Sequence, residues 1–299
     1  MPSDTLAATL EQSAEQGRIC SVAVRGQRDL QDRVATYPAL FPDPPVDAAM
    51  LSALALSTAF IAPWCTAAEL RTANRTSLWV TAEDWRIDSE ISSLEEATAT
   101  ATVCIAVAAG SAPADGDQLT QFLADIRDDL AATPLFPRLG HLWQDELRRM
   151  LDAELREWQW RTDRNNKVTE LPSAGDYLAN AAGYGATWVN ISHWIATSAV
   201  ETEEHLTTLA RASYEVEKVL RLVNDLASYN RDVKAGDLNI LMLGVDEHEV
   251  RQQAIDLADR CQKLLDPLAE VSPQQVTYLR RVLGFTAGFY HGTDFWASR

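Results

Sequence analysis

Long apolar runs are missing from this 299-residue chain: no uninterrupted stretch approaches the ~20 residues that span a bilayer, so a membrane-spanning protein is excluded and a soluble one expected. Basic residues are in deficit as well. With 26 Lys and Arg against 43 Asp and Glu the net charge is −17, which argues against nucleic acid or an anionic membrane surface as a partner. Cysteine is scarce and unpaired. Cys20, Cys65, Cys104 and Cys261 lie far apart with no CxxC, a pattern that suits reduced thiols in a cytoplasm. No Pro/Gly/Ser-rich linker and no internal repeat divides the chain, so one domain over residues 1–299 is the simpler organisation. The opening MPSDTLAATLEQSAEQG has neither a basic run nor an apolar core; no secretory signal is expected, and the expected location is cytoplasmic.

What the chain does have is helix. Hydrophobic residues make up 46%, enough for a sizeable core, and 9 Trp, 7 Tyr and 7 Phe are enough to line a large cavity. Residues 1 to about 18 are polar and expected to be frayed, and a short amphipathic helix is expected over Asp29 to Tyr37. The turn-rich Leu40–Pro45 follows, then an apolar helix over Asp47–Ile61. Thr66-Ala67-Ala68-Glu69 is a capping-box pattern that opens a helix running to Asp88. Further helices are expected over Leu94–Gly110, Gln118–Ala132 and Arg138–Arg161. After the polar stretch Thr162–Glu170, Ser173 is the N-cap of a helix through YLANAAGYGATWVNISHWIATSA, apolar enough around its circumference to be central. A long helix from Thr202, then helices over Glu247–Glu270 and from Pro273 onward, complete about ten. An all-α bundle is the predicted class.

The most informative stretch is Leu220–Asp237, LRLVNDLASYNRDVKAGD, where Asn224, Ser228 and Asp232 recur at intervals of four. On a helix these three oxygen-bearing side chains stack on one face. An amide oxygen, a hydroxyl and a carboxylate form a hard donor set that suits Mg²⁺ or Mn²⁺ rather than zinc. One full charge needs a second anion from the ligand, most simply a diphosphate, and Arg221, Arg231 and Lys234 are interleaved to hold it.

Asn224-Asp225-x-x-Ser228-x-x-x-Asp232, followed by Lys234 and Gly236, resembles the second metal-binding motif of class I terpene synthases. The resemblance implies a single-domain helical bundle around a central cavity, three Mg²⁺ ions and a prenyl diphosphate substrate. It also implies a second wall of ligands. Glu83-Asp84-Trp85-Arg86-Ile87-Asp88 matches the family's Asp-rich first motif imperfectly, with Asp84 at its first position, Trp85 at its second and Asp88 at its last; Asp84 is the implied primary ligand, Asp88 a second ligand or hydrogen-bonding partner, and Glu83 an extra candidate. Asp125-Ile126-Arg127-Asp128-Asp129 is neither this motif nor the DxDD of protonation-initiated cyclases, and reads as a solvated helix face.

Two departures stand out. Where the family commonly keeps a diphosphate-sensing Arg on the central helix, this chain has Ala181, leaving Arg221, Arg231, Lys234 or Asn180 to take over its work. The C-terminal Arg-Tyr pair of the family is also missing: either Arg299 and Tyr290 substitute or the contact is not made. Gly183 and Gly185 resemble the local helix break whose carbonyl faces the reacting carbon in the family, which puts Gly185 among the catalytic positions. Trp79, Trp85, Tyr184, Trp188, Phe289 and Trp296 are the pocket-lining candidates, since aromatic faces stabilise cations without attacking them; core packing is the competing reading for each.

The Asp-Trp form of the first motif, the missing Arg and LRLVNDLASYNRD together resemble bacterial labdane-related diterpene synthases. This implies a C20 substrate, copalyl diphosphate made by a separate class II cyclase, and a diterpene hydrocarbon or alcohol product. Farnesyl diphosphate cyclisation to a sesquiterpene, direct use of geranylgeranyl diphosphate, and a catalytically silent prenyl-ligand-binding protein stay open. A homodimer is a family-level expectation.

Overall fold

The computed structural model describes residues 2–42, 46–166, 171–293 and 295–296, with side chains from residue 7 onward. Arg299 and the Pro44-Pro45 end of the first turn lie outside the described residues. Eleven α-helices and no strand occur among those described: α1 Pro2–Thr36, α2 Ala48–Ile61, α3 Arg71–Trp85, α4 Leu94–Ala108, α5 Gln118–Ala131, α6 Phe136–Asn166, α7 Ala174–Ala179, α8 Ala186–Thr197, α9 Glu203–Ala235, α10 Glu247–Leu265 and α11 Pro273–Gly292. No helix among these residues is long and apolar enough to cross a membrane. All four cysteines are free.

Many boundaries follow local chemistry. Asp47 caps α2 by accepting from the N–H groups of Ala49 and Met50 at 2.9 and 3.0 Å, and the helix stops before Pro63. The Thr66/Glu69 box forms as expected, with Glu69 accepting from Thr66 N at 2.7 Å, but it closes a turn ahead of α3 rather than on its first residue. Ser173 accepts from Asp176 N at 3.0 Å and opens α7.

Two expectations need correction. The N-terminal segment is not a frayed piece followed by a short helix at Asp29: Pro2–Thr36 is one helix, held because Ile19, Ala23 and Leu30 on one side are buried against α2 and α3. The polar Thr162–Asn166 segment continues α6 instead of forming a loop, and 167–170 lie outside the described residues. The acidic run in α5 faces solvent as expected, with Asp125, Asp128 and Asp129 all exposed. Asp125 accepts from the Tyr37 hydroxyl and Asp129 from Arg75 at 2.8 Å, tying α5 to α1 and α3.

α8 sits at the centre, contacting α3, α5, α6 and α9. A stack of indoles locks it there: Trp188 of α8 lies 5.2 Å from Trp79 of α3 and 5.4 Å from Trp143 of α6. Trp143 also donates to Ser192 at 2.9 Å, and Trp79 to the Leu119 carbonyl at 2.9 Å. Each such aromatic pair adds ~0.5–1.5 kcal/mol beyond area burial. On α6 the buried stripe Leu139, Trp143, Leu147, Met150, Glu154 and Trp158 repeats at three- and four-residue steps, and this periodicity carries Glu154 inward with its apolar neighbours.

Candidate active site

The central helix is interrupted where the two glycines predict it. After α7 a 3₁₀ turn, Ala181–Tyr184, leads to Gly185 at φ +76°, and α8 begins at the next residue. A Cβ at Gly185 would meet Val80 at 2.8 Å and Met150 at 3.1 Å; one at Gly183 would meet the Glu154 and Glu157 carboxylates at 2.9 and 3.1 Å. Only glycine allows that left-handed turn to lie flat between α3 and α6. The restarted helix is capped from α9: Glu217, fully buried, accepts from Thr187 N at 3.1 Å and Thr187 Oγ1 at 2.7 Å.

On α9 the Asn-Ser-Asp triplet shares the expected face. Ser228 donates to Asp232 Oδ2 at 2.6 Å, and both are buried. Asn224, one turn earlier, is half-buried and has no hydrogen-bond partner among the described residues. Asp232 also accepts from Asn239 at 2.8 Å and from Arg231 at 3.3 Å. Asp225 points elsewhere: it accepts from Ile240 N at 2.9 Å and pairs with Arg221 at 3.3 Å, burial pushing it up to about 6 against that guanidinium.

The other wall is the end of α3, where Arg86–Glu90 widens into a π-helical turn closed by Ile91 N to the Arg86 carbonyl at 3.1 Å. Asp84 and Asp88 therefore sit across an α-to-π junction rather than on one straight α-helical face, the kind of irregularity found at functional sites. Asp84 has no hydrogen bond or ion pair among the described residues. Burial, then the Asp88, Glu83, Asp237 and Glu157 carboxylates, hold it well above the usual carboxylate range. Burial and Asp237 likewise push Asp88 up to about 6, with Arg161 opposing, although its side chain is 37% exposed. Glu83 is fully buried with neither oxygen partnered, pushed up to about 8 by burial and Asp88. Burial and Glu157 also raise Glu154 well above its usual range.

The end of α3 thus concentrates carboxylates that repel one another, and α9 carries an unpartnered amide at Asn224. No three acidic, His or Cys side chains among the described residues already converge on one point. The donor set on α9, however, is amide, hydroxyl and carboxylate, and the uncompensated Asp84 and free Asn224 oxygens suit a hard divalent cation.

The diphosphate-binding candidates divide. Arg221 is committed: Nη1 and Nη2 bond Glu157 at 3.0 and 2.6 Å, Nε bonds the Tyr177 hydroxyl at 2.7 Å, and the guanidinium lies over the Tyr177 ring at 4.7 Å. Asn180 is equally occupied, accepting from Arg156 at 2.8 Å and donating to the Ala153 carbonyl at 2.9 Å. Arg231 is partly exposed beside Asp232, and Lys234 is exposed. A side chain absent from the sequence-based candidates joins the two walls: Arg161 of α6 bonds Asp88 and, at 3.1 Å, Asp237. Arg164 supports the same corner through the Gly236 and Asp237 carbonyls at 3.4 and 3.3 Å.

Among the aromatic candidates, Trp79 and Trp188 are fully buried in the indole stack and present no surface to an open cavity. Trp85, Tyr184, Phe289 and Trp296 are partly accessible. Trp85 lies 6.1 Å from Trp296, Phe289 stacks on Phe285 at 5.8 Å and on Phe295 at 4.5 Å, and the Tyr184 and Tyr290 hydroxyls are 2.7 Å apart. A depression of about 330 Å³ between α6 and the break includes Asn180, Arg156 and Tyr214 but none of Asp84, Asp88, Asn224, Ser228 and Asp232.

Neither Arg161 nor Glu157 carries a local signal, because each meets its partners only through tertiary contact, whereas Asn239 also caps the following turn by accepting from Leu241 N at 3.1 Å. Glu217 does: it lies seven residues before Asn224 on the same helical face, a lone acid among Val216, Val219 and Leu220.

An all-helical bundle with its central helix broken beside an acidic wall and an Asn-Ser-Asp wall is the architecture of a class I terpene synthase. Residues 76–263 match the family described as terpene synthase family 2, C-terminal metal binding, and the chain belongs to it. It is 31% identical over 282 residues to an ent-pimara-9(11),15-diene synthase from Streptomyces sp. (strain KO-3988), covering 93% of each. Solved structures sharing the fold include 2-methylisoborneol synthase from Streptomyces coelicolor A3(2), with a TM-score of 0.68, 14% identity and coverage of 93% of this chain and 91% of that one. Linalool/nerolidol synthase from Streptomyces clavuligerus gives 0.69 and 14% over 90% and 94%. The protein is a terpene synthase, a lyase acting on prenyl diphosphates.

Proposed function

We propose that this terpene synthase is a Mg²⁺-dependent diterpene synthase that ionises copalyl diphosphate and yields a diterpene hydrocarbon or alcohol plus diphosphate. The observations that support the reaction class are an unpartnered Asp84 carboxylate at the end of α3 and, on α9, a face carrying Asn224, Ser228 and Asp232. The C20 substrate rests on similarity to the ent-pimaradiene synthase over nearly the whole of both chains. Asp84 and Asp88 on one wall and Asn224, Ser228 and Asp232 on the other would hold the metal, three ions being the family expectation. Bound there, Mg²⁺ neutralises charge building on the departing diphosphate.

The chain's own residues supply the rest. The break at Gly185 is fixed from α9 by Glu217, which accepts from Thr187 N at 3.1 Å, and a carbonyl of this break would face the reacting carbon if it works as its family resemblance implies. The partly accessible Trp85, Tyr184, Phe289 and Trp296 offer ring faces to an allylic cation while keeping water away. Because the chain has no DxDD, the bicyclic skeleton must be built beforehand by a class II cyclase, a separate partner enzyme. A cytoplasmic homodimer is part of the same reading.

The test is incubation of the purified chain with Mg²⁺ and, separately, copalyl, geranylgeranyl and farnesyl diphosphates, with product analysis by gas chromatography and mass spectrometry. A new diterpene from copalyl diphosphate alone, absent with Asn224→Ala, is the expected result. Turnover of only another of the three moves the substrate and keeps the ionisation; no product from any of them refutes the synthase reading for these substrates.

A further inference from the structure

We infer that Arg161, on α6, is the residue that grips the substrate's diphosphate, in place of the cation this chain lacks at Ala181. The inference deepens the class I reading and rests on it. Two cationic candidates close to the motifs are poorly placed: Arg221 spends all three guanidinium nitrogens on Glu157 and Tyr177, and exposed Lys234 extends from the last turn of α9. Arg161 has neither limitation. Its side chain is 15% exposed, and its guanidinium lies between the acidic wall and the end of α9, where a single nitrogen, Nη1, bonds both Asp88 and Asp237.

That arrangement leaves donors over. A guanidinium has five N–H groups. At Arg161 Nε has no partner among the described residues, and Nη2 has only a long contact of 3.5 Å to the Ile87 carbonyl. A planar fork with open N–H groups matches phosphate oxygens two at a time, which a lysine ammonium does not. Without ligand the excess of carboxylates around it holds the guanidinium in place. Once divalent cations occupy the carboxylates the local sign inverts, and an anion becomes the natural partner of the unused N–H groups.

The competing account is a strut, in which Arg161 only ties Asp88 to Asp237. The two accounts separate on inorganic diphosphate binding, measured by titration calorimetry on the full chain in Mg²⁺ buffer for wild type, Arg161→Met, Arg161→Lys and Asp237→Asn. Far-UV circular dichroism establishes that each variant is folded, and Arg161→Lys decides if Arg161→Met is not. A charge-assisted pair predicts that Arg161→Met weakens diphosphate about 10- to 100-fold. Arg161→Lys falls between, and Asp237→Asn, which breaks the strut but keeps the guanidinium, stays within about twofold of wild type. Wild-type affinity in Arg161→Met, or equal losses in Arg161→Met and Asp237→Asn, overturns the assignment while leaving the class I reading intact. Wild-type chain that neither binds Mg²⁺-diphosphate nor turns over any prenyl diphosphate overturns both.

Discussion

The carboxylate of Glu217, on α9, accepts the backbone N–H of Thr187 at 3.1 Å and its hydroxyl at 2.7 Å, capping α8 at its first turn from a different helix. Burial pushes Glu217 up to about 8, its bonds to Thr187 and Ala186 opposing. A carboxyl whose folded value lies above its ordinary 4.5 keeps its proton in the fold after the unfolded chain has released it. Its contribution is therefore complete below about pH 4.5 and lost as pH rises through about 8. Glu217→Gln, which resembles the protonated acid, should melt higher than wild type at pH 8 and converge with it near pH 4.5, as thermal denaturation across that range will measure. Glu217→Ala leaves the α8 N–H groups unpartnered and should cost about 1–3 kcal/mol at any pH.

Gly185→Ala tests the helix break. A side chain there must adopt φ +76° and press against Val80 at 2.8 Å. A left-handed non-glycine residue costs about 1–3 kcal/mol, and relief of the clash would move the break itself. Chemical denaturation should show that loss, with turnover falling further than stability alone explains.

Asp84 lies among carboxylates with no countercharge, so Asp84→Asn should raise stability without ligand while abolishing turnover. Mg²⁺ binds only the folded site, so it should raise the melting temperature of wild type, by about 2.7 kcal/mol of stability at 100-fold excess over its Kd. The shift should be largely absent in Asp84→Asn. A Mg²⁺-induced shift of unchanged size in that variant would remove Asp84 from the ligands.

Arg221 belongs to a buried network with Glu157, Tyr177 and Asp225. Removing one partner of such a pair leaves an uncompensated charge, and Arg221→Met should cost about 3–5 kcal/mol. Urea denaturation of Arg221→Met, Glu157→Met and the double variant should show strong coupling. If Arg221 instead serves mainly the diphosphate, Arg221→Met will keep its stability and lose affinity for the ligand.

The local parts of the candidate site were legible in the sequence. Asn224, Ser228 and Asp232 recur every four residues on α9, and the Ser228–Asp232 bond brings the last two side chains together. The glycine break at Gly185 and the Asp47 and Ser173 caps are likewise properties of a few adjacent residues. The straight helix expected through Asp88 was not correct in detail, since the π-turn at Arg86–Glu90 has no marker in residue spacing.

The sequence by itself determined the helical class, most of the division into segments and the spacing of the candidate oxygen donors, because helical periodicity and capping act over three or four residues. Only the tertiary structure decided which charges are free. Arg221 and Asn180, both beside the motifs in sequence or in the break, are consumed by α6, whereas Arg161, more than seventy residues from Asp88 and from Asp237, stands between them. Electrostatic energy depends on distance through space and on the water excluded between groups, and neither quantity is carried by position along the chain.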